Sequence, residues 1–250
     1  MAYRITIIVM ILLALTSGFV QGRPQLQTKS KHSDNIYFDE QLEMTIAPCG
    51  SSFDVVYNPI PKQSLKEAAE KGGYRYIING SYYNRLHGKC IPAGWFNNNG
   101  KVSGKFSRGK VFTHVVQYNL NTKEFQIIPQ KFFNHKKRYG VIEFQTGPLI
   151  ISNSKAVKSY AMNTRIHNGQ YTRAFLAVKD KVKAYFITVR TPVSLDDVME
   201  RLLQTELVKK GNVNIISLES GEAVAFYAAD RAEYNFNQED VLPILFCTKK

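Results

Sequence analysis

Two apolar runs, each stopped by a glycine-bearing polar turn, constrain this chain more than any other feature. Tyr76-Ile77-Ile78 runs into Asn79-Gly80-Ser81-Tyr82-Tyr83, and Ile215-Ile216-Ser217-Leu218 runs into Glu219-Ser220-Gly221. Short apolar runs of this kind, rich in β-branched residues and bounded by turn residues, read as buried strands. A rigid strand end is where polar site residues are displayed, and glycine there admits close approach to the backbone. Each turn alone is ordinary, so the case for function rests on both together with the segments between them.

Those segments alternate like strands. Phe53 to Tyr57, Tyr74 to Ile78, Val141 to Phe144, Leu149 to Ile151 and Ala223 to Tyr227 each read as a strand. Val111 to Leu120 with Glu124 to Ile128, and Tyr171 to Val178 with Val182 to Val189, read as hairpins. Two helices interrupt them. Ser64 to Lys71 carries a capping box, with Ser64 as N-cap, Glu67 three residues on and Gly72 as terminator. Ser194 to Lys209 is strongly amphipathic, with Asp196 and Asp197 in its first turn and Gly211 beyond its end. The expected fold class is α+β, a mixed, mostly antiparallel sheet with few helices packed on it.

The N-terminus follows a different logic. Arg4, the apolar run Ile5 to Leu15 and the small residues up to Gly22 have the pattern of a secretory signal peptide. The run is shorter than the ~20 residues of a spanning helix. Residues 1–22 are therefore expected as a signal peptide, 23–37 as a flexible leader and 38–250 as a single domain, in a chain exported to the exterior or periplasm without a transmembrane anchor. The formal charge is +13, and removing residues 1–22 takes away only Arg4. Such a balance attracts anionic envelope polymers in general. No arginine-rich helix, zinc-finger spacing or aromatic-basic motif points to specific nucleic-acid binding. In an exported chain Cys49, Cys90 and Cys247 allow one disulfide and leave one thiol over, and the spacing does not choose the pair. No metal-ligand spacing stands out, so neither metal nor cofactor is expected.

Taken in order, the pieces resemble a known family. They are the Asn79-Gly80 turn followed by aromatics, Pro92-Ala93-Gly94 followed by Asn99-Gly100-Lys101, and Gln145-Thr146-Gly147-Pro148-Leu149-Ile150 followed by Asn153-Ser154-Lys155. Thr172-Arg173-Ala174-Phe175, the helix from Ser194 and Leu218-Glu219-Ser220-Gly221 complete the series. Residues 50 to 228 thus resemble the phosphodiester glycosidase family, which includes the enzyme that uncovers mannose 6-phosphate. The family's first turn usually reads Asn-Gly-Gly-Phe-Phe, where this chain has Asn79-Gly80-Ser81-Tyr82-Tyr83. Its last usually reads Leu-Asp-Gly-Gly, where this chain has Leu218-Glu219-Ser220-Gly221.

The resemblance implies a secreted hydrolase that cleaves the glycosidic bond of a sugar-1-phosphodiester or phosphorylated glycan. Glu219 is then the catalytic carboxylate, which stabilises the oxocarbenium-like centre, directs a water or attacks. Arg173 is the guanidinium that grips the phosphate. Asn79, Gly80, Ser81, Thr146, Gly147, Ser220 and Gly221 are the substrate-binding candidates. Glu143 leads as a second carboxylate. Tyr82, Tyr83 and Trp95 could stack on a sugar, although packing is the commoner role of such residues. The altered last turn supports an alternative, a catalytically inactive glycan- or phosphate-binding module on the same fold.

Overall fold

The computed structural model describes residues 36–49, 52–157 and 168–249. The expected signal peptide and nearly all of the expected leader lie outside these residues. Ile36 is buried in the core and Tyr37 opens the first strand. No helix among the described residues is long and apolar enough to cross a membrane.

In chain order the strands are β1 (Tyr37–Asp39), β2 (Met44–Pro48), β3 (Phe53–Tyr57), β4 (Tyr74–Asn79), β5 (Tyr83–Leu86), β6 (Lys89–Pro92), β7 (Phe96–Asn98), β8 (Lys101–Ser103) and β9 (His114–Asn119). They continue with β10 (Phe125–Pro129), β11 (Val141–Thr146), β12 (Leu149–Ser152), β13 (Lys155–Ala156), β14 (Tyr171–Lys179), β15 (Lys183–Val193), β16 (Val213–Ser220), β17 (Phe226–Ala228) and β18 (Ile244–Lys249). The helices used below are α1 (Leu65–Gly72), α2 (Leu195–Leu203) and α3 (Glu206–Lys209).

The strands form a seven-stranded sheet β1-β2-β15-β14-β16-β12-β13, a five-stranded sheet β10-β9-β11-β7-β8, a four-stranded sheet β17-β4-β18-β3 and the hairpin β5-β6. The fold is mostly antiparallel β. Every ladder among the described residues is antiparallel, so the expected mixed sheet is several antiparallel ones. Tight turns make this possible: β14 returns as β15 across the three residues Asp180 to Val182, with Asp180 and Lys181 both in the left-handed region.

Period-two alternation then decides what each sheet buries. One face of the seven-stranded sheet contributes Ala174, Leu176, Phe186, Ile216 and Leu218 to a core shared by all three sheets. The five-stranded sheet adds Phe96, Val116, Ile142 and Phe144, and the four-stranded sheet adds Val55, Tyr76, Ile78 and Phe246. Phe53 is the hub. Its ring lies 5.3 Å from Tyr118, 5.2 Å from Phe125, 5.4 Å from Phe246 and 6.3 Å from both Phe144 and Phe186. The other face of the seven-stranded sheet packs under Leu195, Val198 and Leu202 of α2, and that of the four-stranded sheet under Leu65, Ala68 and Ala69 of α1.

The capping box of α1 is present in both directions, with Glu67 N–H donating to Ser64 Oγ at 3.2 Å and Ser64 N–H to Glu67 Oε2 at 2.9 Å. The helix runs one residue further than expected and ends at Gly73, whose φ of 63° needs glycine. The expected single helix over 194–209 is two. Thr205 turns its hydroxyl onto the Leu202 carbonyl at 2.6 Å, a local bond that competes with the helical ladder, so α2 stops and α3 restarts.

The disulfide that the sequence allows is not formed: Cys49, Cys90 and Cys247 are all free and buried. Cys49 packs in the common core, Cys247 in the cluster under α1 and Cys90 in the β5-β6 ladder. Burial holds the Cys49 and Cys247 thiols well above their ordinary range, which leaves them inert.

Because Phe53 touches all three sheets, Phe53→Ala is expected to cost about 3–5 kcal/mol. The check is the urea midpoint, followed by both tryptophan fluorescence and far-ultraviolet circular dichroism, which should shift together.

Candidate functional site

The end of β16 is built by clamping it on both edges. On one edge β14 sets Arg173 opposite Ser220 and Ala174 opposite Glu219, then slips so that Phe175 faces Ser217. The slip leaves Leu218 as an extra residue, a bulge of the kind that re-aims side chains beside functional sites. On the other edge Thr146 Oγ1 donates to the Ser217 carbonyl at 2.6 Å and Ser217 N–H donates to the Pro148 carbonyl at 2.9 Å. The strand therefore continues through Ser220. Glu219 and Ser220 are strand residues and not the turn that the sequence suggested. The turn starts at Gly221, where φ is 82° and the Thr172 hydroxyl donates to the carbonyl at 2.6 Å.

Glu219 is 8% exposed. Its carboxyl accepts one bond, from Ser220 N–H at 3.0 Å. Burial outweighs that bond and pushes its pKa from the ordinary 4.5 up to about 8. With that value the group is mainly un-ionised at neutral pH.

Tyr82 is the neighbour that brings the sequence motifs together. Its hydroxyl reaches the Gly147 carbonyl at 3.5 Å, and its ring meets Phe112 edge-on at 5.8 Å. Burial first, then the charge of Glu219, raise its pKa to about 12, against hydrogen bonds with Ser217 and Ser220. Arg173 faces the same tyrosine. It is 1% exposed, with Nε donating to the Val193 carbonyl at 3.0 Å and Nη2 to the Gly169 carbonyl at 2.7 Å. Burial lowers its pKa, and the nearby Tyr82 and Tyr171 oppose that. Segments far apart in sequence thus supply one cluster: Tyr82, Gly147, Arg173, Ser217, Glu219 and Ser220.

The remaining candidates are held by structural contacts of their own. Asn79 Oδ1 accepts from Ala225 N–H at 3.0 Å, so its side chain pins β17 to the end of β4. Gly80 donates its N–H to the Ile244 carbonyl at 2.7 Å, and a Cβ there would come within 2.2 Å of the Ile244 side chain. Glycine is required at that position by β18. Ser81 is buried behind Tyr82 in the chain. A Cβ on Gly147 would come within 2.5 Å of the Val111 carbonyl. Thr146 spends its hydroxyl on the strand clamp.

Glu143 is not a second carboxylate of the site. Its Oε1 accepts from Gln117 Nε2 and Arg138 Nη1, both at 2.7 Å, and its Oε2 accepts from Asn97 Nδ2 at 3.1 Å and Trp95 Nε1 at 3.2 Å. A carboxylate with four donors is a structural anchor. It lies on the face of β11 opposite Phe144, and Trp95 belongs with it there. Sequence reading missed the hydroxyls of Tyr82 and Ser217. Tyr82 stood out as an aromatic in the first motif, but nothing local announces a partner on β16.

One residue beyond Tyr82 and one beyond Gly221, an open groove of about 660 Å³ begins, with Tyr83, Arg85, Glu222, Asn237 and Asp240 in its walls. Among the described residues no three His, Cys, Asp or Glu side chains gather as a metal site.

The buried acid has a measurable signature. A carboxyl whose folded pKa lies above its unfolded value stabilises the fold fully below about 4.5 and loses that contribution as pH rises to about 8. Glu219→Gln should flatten the fall in melting temperature between those limits. An unchanged pH profile in the variant would mean that the group is ionised in the folded chain.

The sequence pattern of phosphodiester glycosidases matches residues 72–240. No curated protein is similar enough in sequence to count as a relative. Among solved structures, the catalytic domain of zebrafish N-acetylglucosamine-1-phosphodiester alpha-N-acetylglucosaminidase, auto-inhibited by its pro-peptide, superposes with a TM-score of 0.56 at 12% identity, over 90% of this chain and 87% of that one. A hypothetical protein from Synechocystis superposes with a TM-score of 0.53 at 11% identity, over 85% of this chain and 61% of that one. At such identities these superpositions speak for the fold alone. The ordered sequence match speaks for the lineage, and by it the chain belongs to the phosphodiester glycosidase family.

Proposed function

We propose that this chain is an exported hydrolase that cleaves the glycosidic bond of a sugar-1-phosphodiester, with Glu219 as its acid. The observation that carries this reading is a buried, un-ionised carboxyl held in the same cluster as a buried guanidinium and two serine hydroxyls. A phosphodiester is an anion. An ionised Glu219 would repel it, whereas with a neutral one the cluster that holds Arg173 stays positive. Export rests on the N-terminal pattern of Arg4, Ile5 to Leu15 and Gly22.

The chemistry divides among the residues present. As the anomeric carbon–oxygen bond breaks, its electron pair goes to the leaving phosphate oxygen, and Glu219 delivers a proton to that oxygen. Arg173 holds a fixed positive charge where the phosphate's charge develops, and the Tyr82 hydroxyl offers a hydrogen bond on the same side. Water adds to the anomeric carbon and its proton restores Glu219. The groove beside Gly221 receives the part of the substrate beyond the reacting bond. Arg173 need not release its carbonyl partners for this, because it acts through charge at a fixed position.

The test is release of reducing sugar from a panel of sugar-1-phosphodiesters. Glu219→Gln should lower kcat by about 100- to 10,000-fold, the usual worth of a positioned acid. Because the protonated form is active, kcat should fall as pH rises through about 8. Glu219 and Ser220 stand where the family usually has aspartate and glycine, which favours a second reading, a binding module. Saturable binding of sugar phosphates with no turnover in the folded wild type would establish that reading instead.

A further inference from the structure

The charge of this chain is concentrated in one place. Residues 96–146, which carry the five-stranded sheet, hold nine Lys and Arg against Glu124 and Glu143, and so account for seven of the thirteen net positive charges. Glu143 is spent on Arg138. Over the outer face of this sheet runs the segment 131–139, Lys-Phe-Phe-Asn-His-Lys-Lys-Arg-Tyr.

Two inward residues fix that segment. Phe133 is buried against Phe106, 6.0 Å ring to ring, and Arg138 reaches Glu143 while its guanidinium lies 5.3 Å from the Phe133 ring. With these anchored, Phe132 and Tyr139 point outward, 71% and 72% exposed. They are the two most exposed large hydrophobic side chains among the described residues. Tyr139 lies against Gly100, which brings Lys101 beside it. Each exposed ring carries its own cation, Lys131 Nζ at 4.7 Å over Phe132 and Lys137 Nζ at 5.1 Å over Tyr139.

We propose that this face docks on the surface of an anionic lipid membrane. The pairing of ring and ammonium suits a lipid boundary, where an aromatic ring sits at the base of the headgroups and an ammonium at the level of the phosphates. It suits a flat nucleobase or sugar less well, because the lysine already covers one face of each ring. Phe132 also offers such a ligand no hydrogen bond. The cluster around Glu219 takes no part in this docking.

The test is sedimentation of the full chain with phosphatidylcholine vesicles, alone or with about a third phosphatidylserine. Comparing variants of the same full chain makes any contribution of residues 1–35 common to all. Each lysine near an anionic surface is worth about fivefold in partitioning. Replacing Lys131, Lys136 and Lys137 together by Gln should therefore weaken binding to the mixed vesicles about 100-fold. Phe132→Ala should weaken it several-fold, and more evidently at high salt, where the charge contribution is screened. These side chains are exposed, so the variants should melt with the wild type, which separates lost docking from lost folding. Equal binding to both vesicle types, or no effect of the lysine replacement, would overturn the proposal. So would a charge effect on a soluble sulfated polysaccharide with Phe132→Ala silent on vesicles, an outcome that assigns the face to a polymer.

Discussion

Everything at the candidate site depends on β16 being held by β14 up to its last residue and on the opposite edge as far as Ser217. An unclamped strand would end before Glu219, and a glutamate there would be a solvated loop residue with an ordinary pKa. The β14 ladder carries the strand on to Ser220 past the bulge at Leu218, and Glu219 is buried there. On the opposite edge Thr146 and Pro148 fix the backbone of Ser217. Because β11 supplies Thr146, the clamp also joins the five-stranded sheet to the seven-stranded one. The core around Phe53 makes that junction rigid, since all three sheets close on it. Substrate-sized precision at Glu219 is thus set by packing some distance from it.

The electrostatics follow from the same burial. Desolvation moves Glu219, Tyr82 and Arg173 each toward its neutral form, but by unequal consequence. Glutamate starts low enough that the shift crosses neutral pH. Tyrosine starts above it and only moves further away. Arginine starts so high that it keeps its charge. One physical cause therefore yields an un-ionised carboxyl, a neutral hydroxyl and a fixed cation, with Tyr82 between the other two. Glu143, buried more completely than Glu219, is surrounded by four donors and serves as an anchor for Arg138 and Trp95.

Much of this was legible in the sequence, for reasons that are local. The α1 capping box, the β14-β15 hairpin and the amphipathic face of α2 each need only a few neighbouring residues. Glu219 and Arg173 stand out in the sequence because they follow or lie within apolar strands in an ordered series of motifs. The misses have long-range causes. The strand character of Glu219 and Ser220 comes from a ladder with β14. The role of Tyr82 comes from contacts with β16 and the Gly147 turn. Gly80 reads as a substrate approach in sequence, whereas the side chain of Ile244 on β18 requires it. The helix break at Thr205 depends on which way a single hydroxyl turns, and the three free thiols depend on where three sheets place them.

The central claim is that the Glu219 carboxyl is un-ionised at neutral pH because the fold buries it. Its carboxyl carbon can be followed directly, by carbon-13 nuclear magnetic resonance of glutamate-labelled protein with Glu219→Gln to assign the signal. The account predicts one glutamate carboxyl titrating near pH 8 and missing from the variant. A Glu219 signal titrating near 4.5, with the solvated glutamates, would contradict it.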